Sequence, residues 1–139
     1  MTIVFRYKRI DRPGHLEAIY APAIPITLVG SKDFLDVVAL VDSGADMTAL
    51  PFAIAEIIGA DLSGKKEEII GVGGKVPAVE SRIACTVKGV HETYRFQMRV
   101  KVLLEDVERF PILIGRKDFF ENFYITFKEK DKKIILKKV

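Results

Sequence analysis

The chain has 139 residues, 49% of them hydrophobic and 29% charged, with a formal net charge of +3. That length suits a single domain over residues 1–139, and the composition excludes disordered and collagen-like chains. A domain of this size buries roughly two-thirds of the surface its unfolded chain exposes, so it needs neither a disulfide framework nor a structural metal. The lone cysteine, Cys85, agrees, and with only His15 and His91 beside it there is no set of four clustered zinc ligands.

The charge is unevenly placed. Phe127 to Val139 holds six lysines against Glu129 and Asp131, a net +4, and the remainder of the chain sums to −1. A lysine-rich end of this kind reads as a solvated hairpin, and no nucleic-acid partner is expected. No apolar run approaches the roughly 20 residues of a membrane span, so no membrane partner is expected. The first fifteen residues carry Arg6, Lys8, Arg9 and Asp11 where a signal peptide needs an apolar stretch, which makes the cytoplasm the expected location.

In chain order, the first strong element is Val37-Val38-Ala39-Leu40-Val41, an apolar run without a polar face, as expected of a strand covered on both sides. It runs directly into Asp42-Ser43-Gly44. Pro51 to Ile58 reads as a two-turn helix with proline at its first position and a stop at Gly59. From Gly59 the residues to Lys66 mimic a phosphate-binding loop, but the last position lacks the required hydroxyl and the segment follows a helix instead of a strand.

Ile83, Cys85 and Val87 alternate with polar or small residues, and Tyr94, Phe96, Met98, Val100 and Val102 do so throughout Thr93 to Val102, the period of a strand wet on one face. Gly89 to Glu92 makes a connection between two antiparallel strands, with Cys85 in the core. Pro111 to Ile114 is a second run without a polar face, ending in Gly115-Arg116. Lys117 to Asn122 reads as a short helix, and Tyr124 to Phe127 with Ile134 to Leu136 as a final hairpin. The fold class is therefore all-β with one or two short helices.

Three segments stand out as carriers of chemistry. Leu40-Val41-Asp42-Ser43-Gly44-Ala45-Asp46 places a carboxylate where an apolar strand surfaces, followed by Thr48. Ile69-Ile70-Gly71-Val72-Gly73-Gly74-Lys75-Val76 is glycine-rich, and Ile112-Leu113-Ile114-Gly115-Arg116 is a second apolar strand with a charged end. Alone, Asp-Ser-Gly also suits an ordinary turn and the glycines an ordinary hairpin. In this order the three segments resemble the active-site loop, flap and second signature of the retropepsin-like aspartic proteases, the single-domain family that includes retroviral proteases and their cellular relatives.

The resemblance implies a retropepsin-like acid-protease barrel, one lobe per chain, and an aspartic endopeptidase acting on peptides or proteins without metal or organic cofactor. Asp42 would be the catalytic carboxylate. Two carboxylates must share one proton, and the chain has a single Asp-Ser-Gly, so the resemblance implies a homodimer with Asp42 facing its symmetry mate. Ser43 would brace the paired loops and Gly44 would admit substrate backbone. Asp46 would touch substrate backbone and pair with Arg116, whose other reading is a plain surface ion pair. Thr48 and Gly115 would support the site.

Ile70, Gly71, Val72, Gly73 and Gly74 would form a flap over bound peptide. Ala45, Ile70, Val72 and Ile114 would line subsites, or equally serve as core. The helix from Pro51 to Ile58 departs from viral members and is closer to cellular and prokaryotic ones, and the first twenty residues and the lysine-rich end match no viral pattern. A catalytically silent peptide-binding or dimerisation module on the same fold is the alternative reading.

Overall fold

A computed structural model describes residues 2–11, 14, 17–71, 74–105 and 111–139. In chain order its strands are β1 (Thr2–Arg6), β2 (Lys8–Ile10), β3 (Ile19–Ala21), β4 (Ala23–Val29), β5 (Phe34–Val41) and β6 (Thr48–Leu50). The helix α1 (Phe52–Ile58) follows, then β7 (Lys66–Gly71), β8 (Gly74–Lys88), β9 (Thr93–Leu103), β10 (Leu113–Ile114), β11 (Phe123–Lys128) and β12 (Lys133–Lys138). His15, Val72 and Gly73 lie outside the described residues.

Six strands close into a barrel in the order β4-β5-β10-β6-β9-β8, because β8 pairs back onto β4, and β7 extends the sheet beyond β8. Closure gives each barrel strand a partner on both sides over at least part of its length. The long strand β8 makes it possible: Ala84 to Thr86 pair with β4, Lys66 to Gly71 pair with its first half, and β9 lies along it from Ala78↔Leu103 to Lys88↔Thr93. Gly89 N–H closes the β8–β9 connection onto the Glu92 carbonyl at 2.7 Å. The alternation read in the sequence fixes the register: Ile83, Cys85, Val87, Met98, Val100 and Val102 all point inward and are buried.

The apolar run of β5 is covered on one face only. Ala39 and Val41 are buried, whereas Val38 is 54% exposed, because the outer face of the β4–β5 pair carries no second layer at that point. The helix also begins one residue later than its proline suggests: Pro51 is the cap, extended at φ −61°, ψ 148°, and Gly59 ends the helix in the left-handed region at φ 74°. Ala55 and Ile58 face the core.

A second sheet, in the order β1-β12-β11, joins the two ends of the described chain and buries Ile3, Ile134, Leu136 and Phe123. Aromatic edge contacts weld it to the barrel, with Phe96 of β9 at 5.8 Å from both Phe119 and Phe123, and Phe119 at 5.3 Å from Phe123. The expected helix over Lys117–Asn122 is an irregular helical turn over Arg116–Phe120: Lys117 is extended and Asp118 sits at φ 67°, ψ −44°. That unfavourable backbone is held by side-chain bonds. The Asp118 carboxylate accepts from the Arg99 backbone N–H at 2.8 Å and from both Nε and Nη2 of Arg99 at 3.0 Å.

Candidate active site

The site is built where β5 ends. Inside the barrel β10 lies between β5, with which it runs parallel, and β6, with which it is antiparallel. This wedge holds the emerging loop by its backbone: Leu40 N–H donates to Ile112 O at 2.8 Å and Asp42 N–H to Ile114 O at 2.9 Å. On the other side Val41 N–H donates to Pro22 O at 2.9 Å. Asp42 therefore leaves a buried strand with its main chain already fixed, which is how a rigid element positions a reactive group.

Beyond Asp42 the loop turns back on itself. Ala45 N–H donates to Asp42 O at 3.2 Å, and Gly44 N–H donates to the Asp42 carboxylate, Oδ1, at 2.9 Å. An alanine Cβ at position 44 would lie 3.2 Å from that same oxygen, so glycine lets the amide close on the carboxylate without crowding. Asp42 is half-buried, and Ser43 and Gly44 are exposed beside it. Together with Pro22, Leu40, Val41 and Phe127 they line an open, mainly apolar depression of about 400 Å³. Phe127 comes from the final hairpin. Nothing in the sequence pattern connects β11 with the Asp42 loop, since only the fold brings them together.

The second segment supports the first. Arg116 N–H donates to Ala45 O and Lys117 N–H to Asp46 O, each at 2.9 Å, so the residues after β10 hold the carbonyls of the Asp42 loop. The Arg116 guanidinium also pairs with the Asp46 carboxylate, as the sequence suggests, although both side chains are largely solvent-exposed. Thr48 is fully buried; its hydroxyl accepts the Gly115 N–H at 3.1 Å and donates to Met98 Sδ at 3.6 Å. Gly115 itself has no room for a side chain, since a Cβ there would stand 2.3 Å from the Met47 carbonyl carbon.

The other candidate residues fall into two groups. Ala45 is half-buried within the loop. Ile114 is fully buried in the core, so within one chain it presents no surface to a cleft, because β10 is covered by strands on both sides and by core on its inner face. Ile70, 78% exposed, sits near the tip of the β7–β8 hairpin, where Gly71 pairs with Gly74. Gly74 takes φ 107° in open space, a conformation that glycine supplies without strain. Val72 and Gly73, between them, are outside the described residues. Among the described residues no group of three or more His, Cys, Asp or Glu is placed to hold a metal ion.

No family model matches the sequence, and no curated protein matches it. Solved structures do. The chain is similar to a retropepsin-like aspartic protease from Rickettsia conorii, at 19% identity and a TM-score of 0.59, over 98% of this chain and 90% of that one. It is similar to EIAV protease, solved with an inhibitor, at 21% identity and a TM-score of 0.50, over 77% of this chain and 88% of that one. The retroviral protease-like domain of Ddi1 from Leishmania major aligns over 81% of this chain and 84% of that domain, at 18% identity and a TM-score of 0.49. At these identities the likeness concerns the fold, and the chain has the retropepsin-like all-β fold.

Proposed function

We propose that the chain is an aspartic endopeptidase that works as a homodimer, with Asp42 of each copy supplying one carboxylate. The observation that carries this reading is Asp42 itself: a carboxylate presented at the end of a barrel strand, fixed by its main chain, contacted by one amide and set in an apolar depression open to solvent. One such group per chain does not suffice for two-carboxylate chemistry, so the second comes from a second copy.

In the proposed reaction the ionised Asp42 takes a proton from water as the water oxygen bonds to the scissile carbonyl carbon. The protonated Asp42 of the other copy donates to the carbonyl oxygen. In the collapse of the tetrahedral gem-diol the carbon–nitrogen bond breaks as the first Asp42, now protonated, donates to the leaving nitrogen and the second takes a proton from a gem-diol hydroxyl, which leaves one proton on the pair again. Ser43 would brace the facing loops, and the β7–β8 hairpin would close over the peptide as a flap, with Ile70 against it.

The test is cleavage of a diverse peptide library at acidic and neutral pH, with Asp42→Asn in parallel. The variant should keep the fold and lose turnover by roughly a hundred- to ten-thousand-fold or more. A fully active variant would refute the mechanism. Silence from both, in protein shown by sedimentation to be folded and dimeric, would favour a peptide-binding module on the same fold.

A further inference from the structure

The outer face of the β1-β12-β11 sheet has a charge arrangement that is invisible in the sequence. In sequence the terminal lysines read as a solvated hairpin, because nothing there places Arg6 beside them. The strand register does: Arg6 of β1 pairs directly with Lys133 of β12, which pairs directly with Lys128 of β11. Directly paired residues of antiparallel strands share a face, so three cations stand abreast across three strands spaced about 4.8 Å apart. Like charges directly opposite one another are destabilising. Only the outermost is relieved, by a loose contact of Lys128 with Asp131 at 3.9 Å, and among the described residues neither Arg6 nor Lys133 has an ion-pair partner.

The next row along the sheet is Val4, Ile135 and Thr126, and the one beyond it Thr2, Lys137 and Tyr124. No carboxylate occupies any of these outward positions. Val4 is 53% exposed and Tyr124 63% exposed. The face thus carries cations at both ends, a short apolar band between them, and one uncovered aromatic ring flanked by lysine.

We infer that this face binds single-stranded nucleic acid, with Arg6, Lys128, Lys133 and Lys137 on the phosphates and Tyr124 as a stacking platform for a base. The charge row needs a polyanion to offset its own repulsion, and phosphates supply one. An acidic peptide would satisfy the cations yet leave the ring unused. A bilayer would meet, among the described outward positions of this sheet, only Val4 and Ile135 as aliphatic side chains to insert. A single strand uses both the cations and the ring. The inference does not rest on peptide cleavage: β11 contributes Phe127 to the Asp42 depression, but Tyr124, Thr126 and Lys128 alternate with it and lie on the opposite face of the sheet.

The test is fluorescence anisotropy of a labelled 20-nucleotide oligo(dT) titrated with the full chain between 20 and 200 mM salt. With three or four phosphate contacts, log K should fall against log salt with a slope of about −2 to −3. Lys133→Gln should reduce that slope by about 0.7 and, by relieving the like-charge row, raise the thermal midpoint of the free protein. This pairing of weaker binding with higher stability is something a purely structural lysine would not produce. Lys128→Gln repeats the test at a second position, and Tyr124→Ala should weaken binding about tenfold. Lys32→Gln, in the turn between β4 and β5, should change nothing.

Three results would overturn the inference: no anisotropy change at 20 mM salt; heparin binding as tightly as oligo(dT) with Tyr124→Ala without effect; or binding to phosphatidylglycerol vesicles but not to the oligonucleotide.

Discussion

Gly115→Ala tests the junction on which the candidate site rests. Gly115 sits at φ −92°, ψ 179°, ordinary extended backbone open to any residue, so the substitution carries no conformational penalty and acts only through contact. The added Cβ would stand 2.3 Å from the carbonyl carbon and 2.4 Å from the carbonyl oxygen of Met47, backbone atoms that cannot rotate away. To restore ordinary contact the Asp42 loop must move outward by about 1 Å, since non-bonded carbons sit about 3.5 Å apart. That movement stretches the Gly115 to Thr48 bond and the Arg116 and Lys117 bonds to Ala45 and Asp46. Overpacking costs about 1–3 kcal/mol and each of the three weakened hydrogen bonds about 1 kcal/mol, for a loss of about 4–6 kcal/mol. For a domain of this size that is a drop of about 14–20 °C in Tm.

The assay is urea unfolding followed by far-UV circular dichroism, at one fixed protein concentration so that any dimerisation contributes equally to both proteins. Gly44→Ala is the companion, because its Cβ would meet only the Asp42 carboxylate, at 3.2 Å, and should cost about 1 kcal/mol or less. A loss below about 1 kcal/mol for Gly115→Ala would show that the loop yields freely, and the tight backing of Asp42 argued above would be wrong.

The remaining predictions concern other parts of the same frame. Burial pushes the Cys85 thiol up to about 12, so a thiol reagent at pH 8 should label it only on unfolding, and rapid labelling of native protein would contradict its place in the core. The Arg99 side chain, through its hydrogen bonds, holds the Asp118 carboxyl below its ordinary value. Because the folded value is the lower one, that contribution is complete above about pH 4 and is lost as pH falls through the folded value. Asp118→Asn, which also tolerates positive φ, should therefore flatten the loss of stability below pH 4, and an unchanged acid profile would remove Asp118 from the account. The Asp46–Arg116 pair is exposed on both sides, so Asp46→Asn should leave unfolding within about 1 kcal/mol of the parent, and a larger loss would mean the pair acts as a structural clamp.

Much of the frame is legible in the sequence because it rests on period and punctuation. The alternation in Thr93 to Val102 marks β9 and its buried face, and Gly59 marks the end of α1. The apolar strand that delivers Asp42 is evident from composition alone. What escapes is partnership. A two-residue strand such as β10 has no period to detect, yet its place between β5 and β6 fixes the main chain of Asp42. The outward exposure of Val38 is hidden because an apolar run does not say whether a second layer covers it. Phe127 beside Asp42, and Arg6 beside Lys133, are products of closure between distant segments, and only the register reveals them. The irregular turn at Asp118 depends on Arg99, nineteen positions earlier, and no local rule indicates that pairing.

The pairing of β1 with β12 also sets a timetable for synthesis. Thr2 finds its partner in Lys137 and Phe5 in Ile134, so β1 leaves the ribosome about 130 residues before the strand it pairs with. At roughly 5–20 residues per second that interval is about 7–26 s, during which Ile3 has no sheet to enter and β1 offers an open edge to any neighbouring chain. The barrel, whose strands all lie between residues 23 and 114, can close before then. Slowing elongation between the codons for β10 and β12 should therefore lengthen the vulnerable period and increase aggregation, while leaving the finished protein's stability unchanged.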